Sequence, residues 1–501
     1  MTEPAQAQQR QAHAAEDHHI ELLRNQSPAF DIGSHQALRL PFALNSDFAA
    51  LLVNLRRHIA GKLILQHEVA NRPAGRHQDA YHNGGKEQPL HKAGNRQFAH
   101  LPHLSEIHCF MSHAKLQCAV TLNLIVRKSC MTSNTVSVGV VGASWWADAM
   151  HLPALASHAG ARTLAICGRN LDNARKMAQT WGIPQVYTDY GEMIDRAELD
   201  AIIIATPNSS HYPISMKALE NNLHVLCEKP IALTYAQAQE MAETAEARRL
   251  KTHVPFTYSF MPTARYLKEL IDGGYLGAPY HLNMRYYTGF AREGDYMWRF
   301  DRAIAGSGII GDLGSHFLYL AEWLYGDIGA ITCRLGSTVP RPPLDPAGNP
   351  YEALDDSCML TLEFSNGAYG MIHCTALCYE DTPFGQTHHM EFHGAGGTLY
   401  TFTDWDKTQQ VKGARVGEGM IRELPIPEHI WGNARRDTVH NTYRDMFRSE
   451  DFMIRAFINS ILNDTELRPN FHDGARIQRL ISAAVKSHEK EGRVEIDSIQ
   501  A

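Results

Sequence analysis

One stretch limits what this chain can fold into more than any other. Val136-Ser-Val-Gly-Val-Val141 is a short, β-branched apolar run that ends in a turn of small residues and then a helical pattern, Asp148–Ala156. A run apolar on both faces suits a strand buried on both faces, the environment of a parallel sheet covered by helices. The same alternation then repeats. Thr163–Cys167 reads as a second strand and Leu171–Trp181 as its helix, stopping near Gly182-Ile-Pro184. Ala201–Ala205 is a third strand followed by a helix over Ser210–Asn221, and His224–Cys227 a fourth followed by Thr234–Arg249. Strands and helices in this order predict an α/β domain with a doubly wound parallel sheet.

Such sheets bind ligands at the carboxyl ends of their strands. The residues to inspect are therefore Gly142–Ala147, Gly168-Arg169-Asn170, Thr206-Pro-Asn-Ser-Ser-His211 and Glu228-Lys229-Pro230. Against the dinucleotide fingerprint G-x-G-x-x-G/A, Gly142 serves the tight turn, Ala143 follows it, and Ala147 permits close helix–strand packing. Ser144 replaces the second glycine; it is still small, and its hydroxyl can donate to a phosphate oxygen. Trp145 and Trp146 read as packing or ring contacts beside the cofactor. After the second strand an NAD site usually carries Asp or Glu for the ribose 2′-hydroxyl, whereas an Arg accommodates a 2′-phosphate. Gly168-Arg169 stands there, and a guanidinium binds phosphate in bidentate fashion. NADP is favoured over NAD.

Composition narrows the class. The net charge of −7 argues against a general nucleic-acid binder, and no run approaches the about 18 apolar residues of a membrane span. The N-terminus lacks a secretory pattern, and the nine cysteines include no C-x-x-C pair, so a reduced cytoplasm is the expected location. Thirteen of the 28 histidines precede Met131, in a stretch of charge +4 against −11 for the remainder. His18, His19, His77, His82, His100, His103, His108 and His113 lie there among Gln, Asn, Arg and Pro, without ligand spacing, so no metal site is expected. Residues 1–130 read as a disordered extension or as upstream sequence translated in frame before a start at Met131.

Strand, Cys-Glu228-Lys229-Pro230 and long helix resemble the glucose–fructose oxidoreductase / inositol dehydrogenase family of NAD(P)-dependent dehydrogenases. A second segment, Gly306-Ser-Gly-Ile-Ile-Gly-Asp312-Leu-Gly-Ser-His316, is similar to that family's G-G-x-x-x-D-x-G-x-H motif. The resemblance spans about 136–496. It implies a Rossmann-type domain over 131–256 and an α+β domain with a largely antiparallel open sheet over 257–501. It implies that Lys229, Asp312 and His316 form the catalytic trio. It implies that Thr206, Pro207, Asn208, His211 and Glu228 line the dinucleotide, and that Trp298-Arg299 contacts it. It also implies a homo-oligomer built on the exposed face of the second sheet. Two departures bear on substrate: Tyr319 stands where many members have Asp, and Thr257 and Ser259 where many have Asn and Arg.

The chemistry has its own logic. Hydride transfer from a carbinol needs a group of suitable pKa to move the proton of the same oxygen. Histidine qualifies unperturbed, and lysine when burial or a nearby cation lowers its pKa. Lys229 ends a central strand before a proline, and Asp312 and His316, four apart, share a face if that segment is helical. Asp312 would then orient the lysine or a substrate hydroxyl and leave His316 to exchange the proton.

In the remainder, a helix closes over Leu267–Asp272, Tyr280–Tyr286 alternates as a strand, and Met359–Phe364 with Ala368–Cys374 reads as a hairpin around Asn366-Gly367. Met390–His393 and Thr398–Phe402 form another. Pro340–Pro350 reads as a loop, and 405–445 as a polar, irregular cover for the active site. Phe452–Leu462 and Gly474–Lys490 read as helices packing back on the parallel domain. Cys227 is expected as a buried core thiol, and His388-His389 as exposed strand residues. A hydride-transferring enzyme is the leading function. A glycosidase using bound NAD transiently and a non-catalytic NAD(P)-binding regulator are the alternatives.

Overall fold

The structure, a computed structural model, describes residues 135–379, 385–405 and 409–501. The histidine-rich N-terminal segment, with the expectations attached to it, lies outside these residues. None of the described helices is long and apolar enough to cross a membrane.

The first sheet is parallel, with six strands: β1 (Val136–Val141), β2 (Ala161–Cys167), β3 (Gln185–Tyr187), β4 (Ala201–Ile204), β5 (His224–Cys227) and β6 (Thr252–His253). Its order is β3-β2-β1-β4-β5-β6, so the chain reverses direction of winding between β1 and β4. β4 is buried along its whole length, as its unbroken Ala-Ile-Ile-Ile run requires. The helix Leu171–Trp181 has the expected bounds. Asn170 caps it by accepting from the amides of Asp172 and Asn173, and Gly182 ends it in the left-handed region. β3 and the helix Tyr190–Arg196 carry no clear sequence pattern, because an edge strand of three half-buried residues has no periodicity to read. The capping signal Asp189…Glu192 is present, with the Asp189 carboxylate accepting from the Glu192 amide.

The second sheet has nine strands: β7 (Pro279–Thr288), β8 (Ile328–Gly336), β9 (Ser357–Phe364), β10 (Tyr369–Thr375), β11 (Gln386–Gly394), β12 (Gly397–Asp404), β13 (Gln410–Arg415), β14 (Arg422–Glu423) and β15 (Val494–Glu495). Their order is β14-β13-β12-β11-β7-β10-β9-β8-β15. Every pairing is antiparallel except β10 on β7. Both expected hairpins form. On one face Leu282, Met284, Leu360, Leu362, Ile372 and Phe392 are buried. That face meets the helices Ser315–Tyr325 and Phe471–Lys490. The latter also packs on the helix Tyr235–Ala247 of the first sheet. Gly474 permits this approach: a Cβ there would stand 2.8 Å from Ile231.

Two expectations need correction. The segment 405–445 is not irregular throughout: among its described residues β13 and β14 extend the sheet, and helices form over Glu428–Trp431 and Val439–Arg448. Val439, Tyr443, Met446 and Phe447 recur at helical spacing and are buried, behind a Thr438 cap that accepts from the Asn441 amide. His388 is not exposed. It lies directly across from Tyr286 in the β11–β7 register, among the rings of Tyr258, Tyr286 and Trp405. Burial pushes its pKa down to about 3. The alternation that buries Met390 and Phe392 puts His388 on the same inner face.

Candidate active site

The loops after β1, β2, β4 and β5 meet along one edge of a cleft of about 630 Å³. Gly142 makes the first turn at φ +116°, where a Cβ would stand 2.2 Å from the Ala205 carbonyl oxygen. A Cβ on Gly168 would stand 2.6 Å from that of Ala143. The small residues therefore bring three strand ends together, as a cradle for the backbone of a dinucleotide requires. Ala147 is fully buried under the sheet. The Ser144 hydroxyl is partly used within the loop: it accepts from the Ala147 amide at 3.3 Å, with Ala205 O at a long 3.5 Å.

Ser144, Trp145, Trp146, Arg169, Thr206, Pro207, Asn208 and Glu228 all line the cleft. Arg169 is exposed there, while its neighbour Asn170 is committed to the helix cap. Asn208 donates from its side-chain nitrogen to Ala305 O at 3.0 Å. Glu228 accepts from the Trp146 indole at 2.7 Å and pairs with His151 Nε2 at 2.9 Å. Burial opposes its charge, yet the His151 and Trp146 bonds hold the carboxyl below its ordinary value. Trp146 thus anchors the loop after β1 to the loop after β5, and Phe447 of the helix Val439–Arg448 packs edge-on against it at 5.6 Å. His211 does not line the cleft. Its fully buried ring spans Thr206 O and Pro230 O, 2.8 Å from each, and ties the loops after β4 and β5 together.

Lys229 follows β5 and joins Pro230 through a cis peptide. Its Nζ donates to Asp312 Oδ1 at 2.8 Å and to Asp312 O at 2.7 Å. Asp312 belongs to a π-helical turn, Ile310–Gly314, that opens directly into the helix Ser315–Tyr325 carrying His316. This turn is wider than the α-helix the spacing suggested, and Asp312 and His316 still reach the same cleft. Asp355 holds the approach to this turn through the amides of Gly308 and Ile310. Arg299 Nε stands 3.3 Å from Asp312 Oδ2, and Trp298 lines the cleft beside it. Burial opposes ionisation of Asp312, but Lys229 and Arg299 outweigh it and keep the carboxyl far below its usual range. His316 is held well below the ordinary imidazole value, by burial first and then by Lys229. Its Nδ1 is buried with no hydrogen-bond partner among the described residues, and the residue lines the cleft.

The other end of the cleft contains residues the sequence reading did not single out. Tyr258, Tyr286, Phe290, Met297, Gln386 and Tyr443 line it, contributed by a 3₁₀ turn, two strands, a loop and a helix. Only spatial convergence marks them, apart from the inward parity of Tyr286 in its alternating strand. Tyr319 is not among the residues lining this cleft; its ring stacks on Phe256 at 4.5 Å. Thr257 lines the cleft, whereas Ser259 is buried and donates to Phe256 O. Cys227 is a fully buried thiol whose pKa burial pushes up, as expected of a core residue. Among the described residues no group of three or more His, Cys, Asp or Glu is arranged to hold a metal.

Comparison with known proteins agrees with this architecture. Residues 136–256 match the description "Oxidoreductase family, NAD-binding Rossmann fold", and 268–496 match "Oxidoreductase family, C-terminal alpha/beta domain". Levoglucosan dehydrogenase of Pseudarthrobacter phenanthrenivorans is 26% identical over 359 residues, covering 67% of this chain and 90% of that protein. D-glucoside 3-dehydrogenase of Escherichia coli is 26% identical over 376 residues, covering 74% and 100%. A solved levoglucosan dehydrogenase in complex with NADH and levoglucosan has the same fold. It superposes with a TM-score of 0.64 at 24% identity, covering 72% of this chain and 99% of that one. The chain belongs to the glucose–fructose oxidoreductase / inositol dehydrogenase (Gfo/Idh/MocA) family of oxidoreductases with an NAD-binding Rossmann fold.

Proposed function

We propose that this protein is an NAD(P)-dependent dehydrogenase that moves a hydride between nicotinamide and a hydroxyl-bearing carbon of a sugar, cyclitol or related polyol. The observation that carries the reading is the Lys229–Asp312 ion pair beside His316 in a cleft that Ser144 of the Gly142–Ala147 turn also lines. The names of its relatives, dehydrogenases of levoglucosan and of D-glucosides, support a sugar. Residues 131–256 would form the cofactor unit and 257–501 the substrate unit.

When bound, the nicotinamide supplies the two-electron hydride acceptor. Ser144, Trp146, Thr206, Asn208, Glu228 and Trp298 would hold the dinucleotide. Asp312 fixes the Lys229 ammonium, which donates a hydrogen bond to the reacting oxygen and stabilises negative charge there. His316 Nε2 accepts the hydroxyl proton as the carbinol becomes a carbonyl, and returns it in the reverse direction. The site needs a neutral imidazole for this, and burial with the Lys229 charge supplies one.

Arg169 at the cleft, with no acid after β2, supports NADP over NAD. The outer face of the nine-stranded sheet exposes Met359, Tyr369 and Met371, which supports self-association through that face.

A panel of sugars, cyclitols and aldehydes, run with both cofactors, tests the reading. Net formation or consumption of reduced nicotinamide is expected. Glycoside cleavage without net change would instead establish a glycosidase, and dinucleotide binding with no turnover a regulator.

A further inference from the structure

The substrate end of the cleft holds two phenols whose hydrogen bonding is incomplete. Tyr258, from the 3₁₀ turn Thr257–Phe260, and Tyr286, from β7, are joined hydroxyl to hydroxyl at 2.7 Å. Gln386 Nε2 donates to the Tyr258 oxygen at 3.1 Å and lies 3.0 Å from His388 Nε2. Gln386 and His388 are two apart on β11, so both point to the inner face. Burial keeps His388 neutral, and in the tautomer with its proton on Nδ1 its Nε2 accepts from Gln386. Burial likewise raises the pKa of both tyrosines and keeps them protonated.

Protons can then be counted. The pair has two hydroxyl protons, and the bond between them uses one, whichever oxygen donates. The Tyr258 oxygen is already an acceptor for Gln386. One phenolic proton therefore remains without an acceptor among the described residues. The third phenol here, Tyr443, has its ring 6.2 Å from that of Tyr258. Both oxygens of the pair lie in residues lining the cleft, and the Tyr258 ring is 4.6 Å from that of His316.

We infer that the Tyr258–Tyr286 pair is a specificity determinant, whose spare proton binds one oxygen of a polyol substrate next to the carbon oxidised at His316. This rests on the dehydrogenase reading above and adds the residues that select among polyols. A buried donor built for one oxygen discriminates against analogues that lack it, because the donor is then left unpaired.

The test uses the full chain and its Tyr286→Phe and Tyr258→Phe variants, with glucose, levoglucosan and the monodeoxyglucoses as probes. For the best sugar the variant that removes the donating oxygen is expected to raise KM about tenfold, the worth of one such hydrogen bond, while the other variant, which leaves a free hydroxyl proton in place, changes KM less. Dinucleotide affinity, measured by fluorescence titration, should stay within twofold. One deoxy sugar should lose about tenfold with the natural protein and nothing further with the variant that lacks the donating oxygen. Unchanged KM in both variants, or a deoxy penalty that persists in both, overturns the inference while leaving the dehydrogenase reading intact. If the natural protein oxidises none of the sugars, that reading fails separately. Calorimetric titration of the dinucleotide-saturated protein then decides: sugar binding weakened in the variants supports the pair, and equal or absent binding overturns it.

Discussion

Replacing Lys229 by methionine shortens the unbranched side chain by one atom and removes its charge and two hydrogen bonds, 2.7 and 2.8 Å long, to Asp312. At 2.8 Å and an effective dielectric of about 20 the gross attraction of the ion pair is about 6 kcal/mol. Desolvation of both ions offsets most of it, since their side chains are only 15% and 21% exposed. Asp312 also retains Arg299 at 3.3 Å, so the carboxylate is not orphaned. The variant should therefore lose about 2 kcal/mol of stability and stay folded. Catalysis should suffer more. Losing a charged donor to the reacting oxygen removes about 4 kcal/mol of transition-state stabilisation, about a thousandfold in kcat. Stopped or steady-state absorbance of reduced nicotinamide measures kcat, fluorescence titration the dinucleotide affinity, and thermal unfolding the stability. The expected pattern is a kcat collapse with affinity within a few-fold and a Tm lower by a few degrees. A kcat within tenfold of the natural protein would falsify the role given to Lys229.

Arg169→Ala should weaken NADP binding by at least tenfold and NAD binding little; an equal effect on both removes the basis for preferring NADP. Because burial and Lys229 both disfavour the His316 cation, the acid limb of kcat/KM should fall below the ordinary imidazole value of about 6.5. Activity requires the neutral ring, so it should rise with pH through that limb and then level off. A limb at or above the ordinary value would show that another group titrates.

Much of the site was readable because it is local in sequence. Glu228-Lys229-Pro230 follows a strand recognisable from four residues, and Asp312 and His316 share one short segment. The loops that fail to read are informative. His211 carries the right position for a cofactor contact, but whether an imidazole faces a cleft or two carbonyls depends on where Thr206 and Pro230 come to rest. His388-His389 looks alike as a dipeptide, yet strand parity buries the first residue and leaves the second half-exposed.

By itself, the sequence determined the elements that depend on near neighbours: the buried run Val136–Val141, the forced turn at Gly142, the capped helix after Asn170, and the hairpins of the second sheet. Their periodicities and turn residues act within a few positions along the chain. Tertiary structure alone decided what lies opposite the cofactor loops. Tyr258, Tyr286, Gln386 and Tyr443 are brought together by the β7–β11 register and by the helix Val439–Arg448 closing on Trp146. Those are contacts between residues far apart in the chain, set by packing rather than by any local pattern, and substrate selection is assigned to them.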